Sequence, residues 1–316
     1  MPTGHFPPAA RDTKVVTSRL KRSSRAPAAA AAVTGLVLLA GCAITPAAAG
    51  PASAPSNVAT SVPTASAPAA TSTPTPTPTP TKTTPPDPLA GLSKAKRKQF
   101  KACLNRGISA GATGTCARLL QAELKTAGFH PWKVSGWVNV ATTNAILNYQ
   151  RSRGIKATGW TNKATWMALA TDAPTVPTVL PKKCLTKGVV LCVDQAHRKL
   201  TWLKNGKVVK TFKVRLGGYA QHAKTHIWRN FPTANGTWKV YDKQVDPPSE
   251  NYGRGAMPYS TMFYPDMYVH YSPGFNSQGY SQSSHGCVNI RKLSDAVWIF
   301  KNTPIGAKVH IFSPKA

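Results

Sequence analysis

Two stretches near the carboxyl terminus, His270-Tyr271-Ser272-Pro273 and Ser283-Ser284-His285-Gly286-Cys287-Val288-Asn289-Ile290, decide the fold of the last part of the chain. The first closes a strand pattern, and the second follows a loop rich in Gly, Ser and Gln. A thiol has a reference pKa of about 8.5, and a neighbouring imidazole can take its proton to give a nucleophilic thiolate. His270 and Cys287 are therefore a candidate catalytic pair, and the backbone carbonyl of Tyr271 is the predicted group that orients the imidazole.

The loop before Cys287 contains the residue types that acyl transfer needs. Gly286 has no Cβ and lets the backbone approach a substrate closely, and we assign His285 and Gly286 to the catalytic loop. The amides of Gly286 and Cys287 are predicted donors to a tetrahedral oxyanion, each worth about 3 kcal/mol. A lone Cys is often a buried apolar residue, but an unpaired Cys beside Ser-His-Gly in an exported chain favours a reactive thiol.

Strand patterns lie on both sides of this motif. Asn205-Gly206 predicts a hairpin between strands at 199–203 and 207–215. One helix is predicted from Ser294 to Lys301, with Ser294 as its N-cap. Further predicted strands lie at 188–193, 236–241, 266–270 and 307–312. Residues 186–316 are thus predicted to form a mainly β domain with one short helix.

The pattern His-x16-Cys, with Ser-His-Gly before Cys287 and an apolar residue and Asn after it, resembles the active-site signature of the L,D-transpeptidase family. The resemblance covers about residues 186–314 and implies a β-sandwich-like catalytic domain. It implies that Cys287 attacks a tetrapeptide stem of peptidoglycan, that D-alanine leaves after protonation by His270, and that an amine of another stem completes a 3→3 cross-link. It implies no cofactor and no metal, and it implies acylation of Cys287 by carbapenems. The predicted substrate contacts are Tyr259, Tyr264, Ser284 and Asn289.

Four alternatives compete with this interpretation. Entry of water instead of an amine would make the same site an L,D-carboxypeptidase. Sortases also place His before Cys but need a later catalytic Arg, and papain-like wall endopeptidases place Cys before His. A non-catalytic wall-binding lipoprotein is the alternative from another class, and the presence of both His270 and Cys287 argues against it.

A helical domain is predicted before the β domain. Leu120-Gln121-x-x-Leu124-x-x-x-Gly128-Phe129 and two later stretches, around 143–155 and 159–169, have helical periodicity and Gly-containing ends. Over about residues 103–170 they resemble the peptidoglycan-binding-like domain of bacterial wall enzymes, which implies a small three-helix bundle. We place this domain at 92–172 and a linker at 173–185.

The N-terminal part is predicted to export and anchor the chain. Basic residues, an apolar run at 28–40 and Leu39-Ala40-Gly41-Cys42 resemble a lipoprotein signal peptide over 1–41, with Cys42 as the lipidated residue. Ordinary cleavage after Ala47-Ala48-Ala49 is the alternative. Residues 42–91 are rich in Ala, Pro, Ser and Thr and predict a disordered tether. The predicted location is the outer face of the cytoplasmic membrane, with the folded domains extending into the cell wall.

Cysteine count and charge complete the picture. Setting aside Cys42 and Cys287, four cysteines remain, and the pairs Cys103–Cys116 and Cys184–Cys192 keep each disulfide within one predicted domain. Beyond the signal peptide, 34 basic residues stand against 9 acidic ones, which favours anionic wall polymers or a membrane surface as partners over nucleic acid. The acids form no pair typical of lysozyme-like chemistry, and His222-x-x-x-His226 lacks the Glu of a zinc motif. We predict a monomer.

Overall fold

The computed structural model describes residues 87–249 and 251–314. The predicted signal peptide, lipidation at Cys42 and nearly all of the predicted tether lie outside these residues. The described part belongs to one compact unit. Within it, no helix has both the length and the apolar character that a membrane span requires.

Four helices form the first domain: α1 (Lys94–Cys103), α2 (Thr115–Thr126), α3 (Val140–Ser152) and α4 (Lys163–Ala170). The last three correspond to the predicted helices, but the prediction of a three-helix bundle missed α1. The reason is that Lys and Arg fill half of α1 and only Phe100 and Cys103 are buried, so the stretch offers few apolar residues from which to predict a helix. Tertiary packing stabilises the helix, since Phe100 packs edge-on against Trp166 with 6.1 Å between the ring centroids.

Two buried glutamines organise equivalent turns in this domain. Gln121 Nε2 donates to Trp137 O at 2.8 Å, and Gln150 Nε2 donates to Trp160 O at 2.8 Å. Each glutamine thereby satisfies the polar backbone of a turn that follows its helix. Both turns present their tryptophan to solvent, since Trp137 and Trp160 are 53% and 51% exposed.

Residues 186–314 form the mainly β domain. Its strands are β1 (Val189–Asp194), β2 (Lys199–Lys204), β3 (Lys207–Arg215), β4 (Tyr219–Gln221), β5 (Trp228–Asn230), β6 (Gly236–Lys239), β7 (Asp242–Gln244), β8 (Ser260–Tyr264), β9 (Met267–Tyr271), β10 (Val288–Ile290) and β11 (Lys308–Phe312). Nine of them make one sheet in the order β6-β11-β1-β2-β3-β10-β9-β8-β7, and β4 and β5 form a separate hairpin. The sheet curls around its main apolar core, and Trp238 of β6 meets Tyr264 of β8 with ring centroids 4.6 Å apart.

Two helices accompany the sheet, α5 (Pro273–Gln278) and α6 (Leu293–Asn302). The predicted helix corresponds to α6, but Lys292 occupies its N-cap position and no side chain caps it, so the prediction of Ser294 as N-cap was wrong. The helix α5 was not predicted, because six residues that include Gly carry no usable periodicity. Its N-terminus is nevertheless stabilised: Pro273 lies in the first turn, and Ser272 Oγ accepts a hydrogen bond from Phe275 N at 3.1 Å.

Helix α3 docks the first domain directly behind the catalytic loop. Asn144 Oδ1 accepts from Tyr219 N at 3.0 Å, and Asn144 Nδ2 donates to Tyr219 O at 3.1 Å. The same carbonyl accepts from Ser283 Oγ at 3.0 Å, and buried Arg151 donates to Gly217 O at 2.7 Å. The helical domain therefore supports the backbone on which the loop before Cys287 rests.

Both predicted disulfides are confirmed. Cys103–Cys116 joins α1 to α2, and Cys184–Cys192 joins the segment that enters the β domain to β1. Each closes a short loop and is expected to add about 2–3 kcal/mol to stability. The free cysteine of the described residues is Cys287.

Candidate active site

Two neighbouring parallel strands bring the predicted catalytic residues together. His270 lies in β9, Cys287 directly precedes β10, and Asn289 pairs opposite His270 in the ladder between them. Both candidate catalytic side chains are enclosed, since His270 is 4% and Cys287 is 7% exposed. The intervening residues 272–286 make the long connection that parallel neighbours require.

A hydrogen-bond network fixes the protonation of the imidazole. Arg215 Nε donates to Asn289 Oδ1 at 3.0 Å, so the amide nitrogen of Asn289 faces His270. That nitrogen can only donate, and it lies 2.8 Å from His270 Nε2, which must therefore accept. The ring proton consequently resides on Nδ1, which donates to Tyr271 O at 2.6 Å. The imidazole thus presents a basic Nε2 and is held in place through Nδ1.

Arg215 is a part of the site that the sequence analysis missed. Its guanidinium also donates to Ser272 Oγ at 3.1 Å and to Gly279 O at 3.3 Å, and it lies over the Phe275 ring. Burial lowers its pKa to about 10, so it stays charged at neutral pH. The only local signal was a basic residue at the end of β3, which is common on solvated strands and does not single out this position.

The thiol and the imidazole are both neutral in the resting structure. Burial lowers the pKa of His270 to about 4, against the raising effect of its bond to Tyr271 O. Burial likewise raises the pKa of the Cys287 thiol to about 11. Since an isolated buried charge is unfavourable, thiolate and imidazolium are expected to form only as substrate supplies compensating interactions.

The thiol is oriented but is not hydrogen-bonded to the imidazole. Cys287 Sγ donates to Asp266 O at a sulfur–oxygen distance of 3.7 Å. Among the described residues, the hydrogen bonds of His270 Nε2 include Asn289 and not Cys287. Transfer of the thiol proton to Nε2 therefore requires that the bond from Asn289 be released, which is a small rearrangement within an existing network.

Ser284 and Gly286 shape the loop that carries the thiol. Ser284 Oγ donates to Cys287 O at 2.6 Å and accepts from Gly286 N at 3.2 Å. Gly286 has a φ of +116°, and a Cβ there would lie 2.7 Å from Met267 Cε. Because the Gly286 amide already has an acceptor, the Cys287 amide is the stronger candidate for the oxyanion donor. Ser284 is placed to hold the loop.

His285 contacts polar and aromatic groups from other segments of the chain. Its Nε2 lies 2.8 Å from Gln221 O, and its Nδ1 lies 2.7 Å from the hydroxyl of Tyr252. The ring also packs against Phe231, with centroids 4.4 Å apart. Burial lowers the pKa of His285. These contacts suit His285 to holding the loop before Cys287 in place. Tyr252, like Arg215, is a residue of the candidate site that no sequence pattern indicated.

The other two predicted substrate contacts pack against the core. The Tyr259 ring meets Phe300 at 5.7 Å between centroids, and the Tyr264 ring meets Trp238. No hydrogen bond or ring contact among the described residues joins either tyrosine to Cys287 or His270. The structure therefore brings Asn289 and Ser284 to the catalytic pair, but not these two rings.

The two histidines of the His222-x-x-x-His226 pattern lie at a turn between β4 and β5. In this turn, His222 Nδ1 accepts from Thr225 N at 3.3 Å. In the described ranges, no group of three His, Cys, Asp or Glu side chains is placed to hold a metal ion.

The buried imidazole gives a testable pH dependence of stability. Because the pKa of His270 is about 4 in the folded state and about 6.5 when unfolded, only the unfolded chain gains this proton between those values. Stability is therefore expected to fall as pH drops from about 6.5 to 4, by up to roughly 3 kcal/mol from this residue. Urea unfolding of wild type and His270→Gln at pH 7 and pH 4.5 measures it. Equal losses of stability in the two proteins would refute the assignment.

Two domain families match the chain. Residues 188–311 match the L,D-transpeptidase catalytic domain, and residues 113–169 match a peptidoglycan binding domain. Both matches agree with the resemblances seen in the sequence. Comparison with the curated proteins returned no match.

Solved structures with related chains include several L,D-transpeptidases. That from Xylanimonas cellulosilytica (residues 123–326) is 23% identical and covers 66% of this chain and 98% of its own, with a TM-score of 0.35. That from Stackebrandtia nassauensis is 24% identical and covers 66% and 96%, with a TM-score of 0.36. L,D-transpeptidase 1 of Mycobacterium tuberculosis is 20% identical and covers 40% and 61%, with a TM-score of 0.29. The family assignment rests on the two domain matches.

Proposed function

Since residues 188–311 belong to the L,D-transpeptidase catalytic domain family, we propose that this chain forms 3→3 cross-links in peptidoglycan through a thioester on Cys287. The observation that carries the proposal is the enclosed pair of Cys287 and His270, whose imidazole is held as a base by Asn289 and Tyr271 O. A thiol that only filled space in the core would not need a neighbouring imidazole oriented by hydrogen bonds from Arg215 through Asn289.

The first half-reaction consumes the tetrapeptide donor. Cys287 Sγ attacks the carbonyl between the third residue and the terminal D-alanine, and the thiol proton passes to His270 Nε2. The amide of Cys287 stabilises the oxyanion. Collapse breaks the C–N bond, the proton on Nε2 moves to the leaving amine, and D-alanine departs. The thioester retains enough of the bond energy for transfer, so this chemistry needs no nucleotide.

The second half-reaction transfers the acyl group. His270 Nε2 accepts a proton from the side-chain amine of an acceptor stem as that amine attacks the thioester carbonyl. The C–S bond breaks, and the proton returns from the imidazole to the departing thiolate. The neutral resting pair is thereby regenerated. If water takes the place of the amine, the same steps yield a carboxypeptidase.

The remaining parts of the proposal concern location. The matches to a peptidoglycan binding domain and to the L,D-transpeptidase catalytic domain support a location outside the cytoplasm. We propose further that it is a monomeric lipoprotein anchored through Cys42, whose tether carries the two folded domains into the wall. The positive charge of the chain favours contact with anionic wall polymers.

Product analysis tests the proposed reaction. The protein is incubated with a disaccharide-tetrapeptide, and products are identified by mass spectrometry. We expect free D-alanine together with a dimer in which two third residues are linked, because the amine competes with water for the thioester. A tripeptide product without dimer would instead establish the carboxypeptidase. Absence of D-alanine release by folded protein would contradict both activities.

A further inference from the structure

A cleft of about 380 Å³ lies between the helical domain and the β domain. Its walls include Phe129 and Trp132 from the helical domain, and Arg198, Tyr280 and Arg291 from the β domain. We call these five residues and the space between them the arginine cleft. The hydrogen-bond partners of Cys287, Asp266 and Ser284, do not line this cleft.

Arg198 is the central cation of the arginine cleft. Its guanidinium lies over two aromatic rings, 4.2 Å from the centroid of Tyr280 and 5.2 Å from that of Phe129. Its Nε is buried and has no hydrogen-bond partner among the described residues. Leaving a buried donor without a partner destabilises the fold by about 1–3 kcal/mol, and by more when the group is charged. The presence of an unpartnered Arg198 Nε therefore calls for an explanation.

The surrounding protein does not neutralise this cation. Within the described ranges, no carboxylate lines the arginine cleft, and the four ion pairs involve three lysines and His197 but no arginine. Arg291 is a second, exposed cation on the same wall. The cleft therefore offers two guanidinium groups and aromatic faces to a ligand that brings its own negative charge.

We propose that the arginine cleft binds a carboxylate-bearing muropeptide segment of peptidoglycan, separate from the stem held at Cys287. Guanidinium groups form paired hydrogen bonds with carboxylates, and the aromatic walls suit the apolar faces of sugar rings and peptide side chains. Stem peptides carry carboxylates next to sugars, which matches both features at once. The proposal rests on the proposed function, since it assigns a second site for the same polymer.

The arginine cleft is connected to the catalytic imidazole. Gly279 lines the cleft, and its carbonyl accepts from Arg215, which bonds to Asn289 and through it to His270. A ligand that presses on the segment containing Gly279 and Tyr280 therefore acts on the network that orients the base. The cleft would thus hold one muropeptide segment while a separate stem peptide reacts at Cys287.

Binding of a defined muropeptide tests the cleft locally. The full-length chain with Cys287→Ala, which cannot turn over, is titrated with a disaccharide-tetrapeptide while the indole N–H resonance of Trp132 is followed. Trp132→Phe assigns that resonance. We expect saturable shifts of the Trp132 signal, and affinities at least about tenfold weaker in Arg198→Gln and in Arg291→Gln, because each removes a charge-assisted bond. Arg118→Gln, an exposed arginine on α2 outside the cleft, is the matched control and should bind as the parent does.

Each outcome decides the question. Arg291 is exposed, so its variant is expected to fold even if Arg198→Gln does not, and unfolding curves check both. Unchanged affinity in a folded Arg291→Gln, or no shift of the Trp132 signal, would overturn the proposal. A glycerol-phosphate oligomer that binds the cleft more tightly than the muropeptide would also overturn it, in favour of a phosphate polymer. A muropeptide with amidated carboxylates should bind more weakly than the free acid. Turnover by wild-type protein is measured separately, so failure here leaves the proposed function standing.

Discussion

Cys287→Ala is expected to abolish the covalent adduct with imipenem and to lower cross-linking by about a thousandfold or more. The reason is that Cys287 is the free thiol of the described residues and lies beside β10, the strand that pairs with the His270 strand β9. The other four cysteines of the described part are in disulfides and cannot take its place. Intact mass spectrometry after incubation with imipenem measures the adduct, and chromatography of muropeptides measures cross-linking.

Two comparisons keep this result interpretable. Ser281→Ala lies in the same connection, and its hydroxyl donates to Gln278 O rather than to a catalytic residue, so its adduct should form normally. The Cys287→Ala substitution should lower the free energy of unfolding by only about 1–2 kcal/mol, since one buried sulfur is removed. A full adduct on folded Cys287→Ala would remove the thioester from the mechanism.

Gly217→Ala is expected to destabilise the β domain by about 3 kcal/mol and to lower acylation by about a hundredfold. A Cβ at this position would collide with Phe231 O and would lie 2.9 Å from both Gly286 Cα and Thr233 N. All three atoms belong to backbone, so no flexible side chain can relieve the contact. Relief requires that the loop bearing Gly286 move away, which displaces the neighbouring Cys287.

Urea unfolding and the rate of imipenem acylation together check this prediction. Gly274→Ala is the matched control, because a Cβ there would have Arg215 Nη2 as its nearest contact at 3.6 Å, an ordinary separation. We expect that control to acylate at nearly the parental rate. If Gly217→Ala retained full stability and full activity, the close packing behind the catalytic loop would not be needed for function.

The candidate pair, His270 and Cys287, could be proposed from the sequence because its signal is local. A loop with Ser-His-Gly before Cys287 and a strand ending at His270 are both visible in the residue order. The disulfide pairing was also predictable, because each pair closes a short loop and neither pair joins the helical domain to the β domain. Most strands of the β domain followed from alternation and from the Asn205-Gly206 turn.

What the sequence did not show depends on contacts between distant segments. Arg215 is 74 residues from Asn289, and its role exists only because β3 and β10 are neighbours in the sheet. Tyr252 reaches His285 across 33 residues from a loop without periodicity. Helix α1 is stabilised by packing of Phe100 against Trp166, a contact between distant residues that a basic stretch does not reveal.

The sequence by itself predicted which groups are candidates for the chemistry: a thiol, an imidazole, and a glycine that leaves the backbone open. The tertiary structure alone decided the state of those groups, namely a neutral thiol and an imidazole with a basic Nε2. It also decided that the helical domain supports the catalytic loop through Asn144 and Arg151. The physical reason is that residue type fixes reactivity, whereas burial and hydrogen bonding between remote segments fix protonation and position.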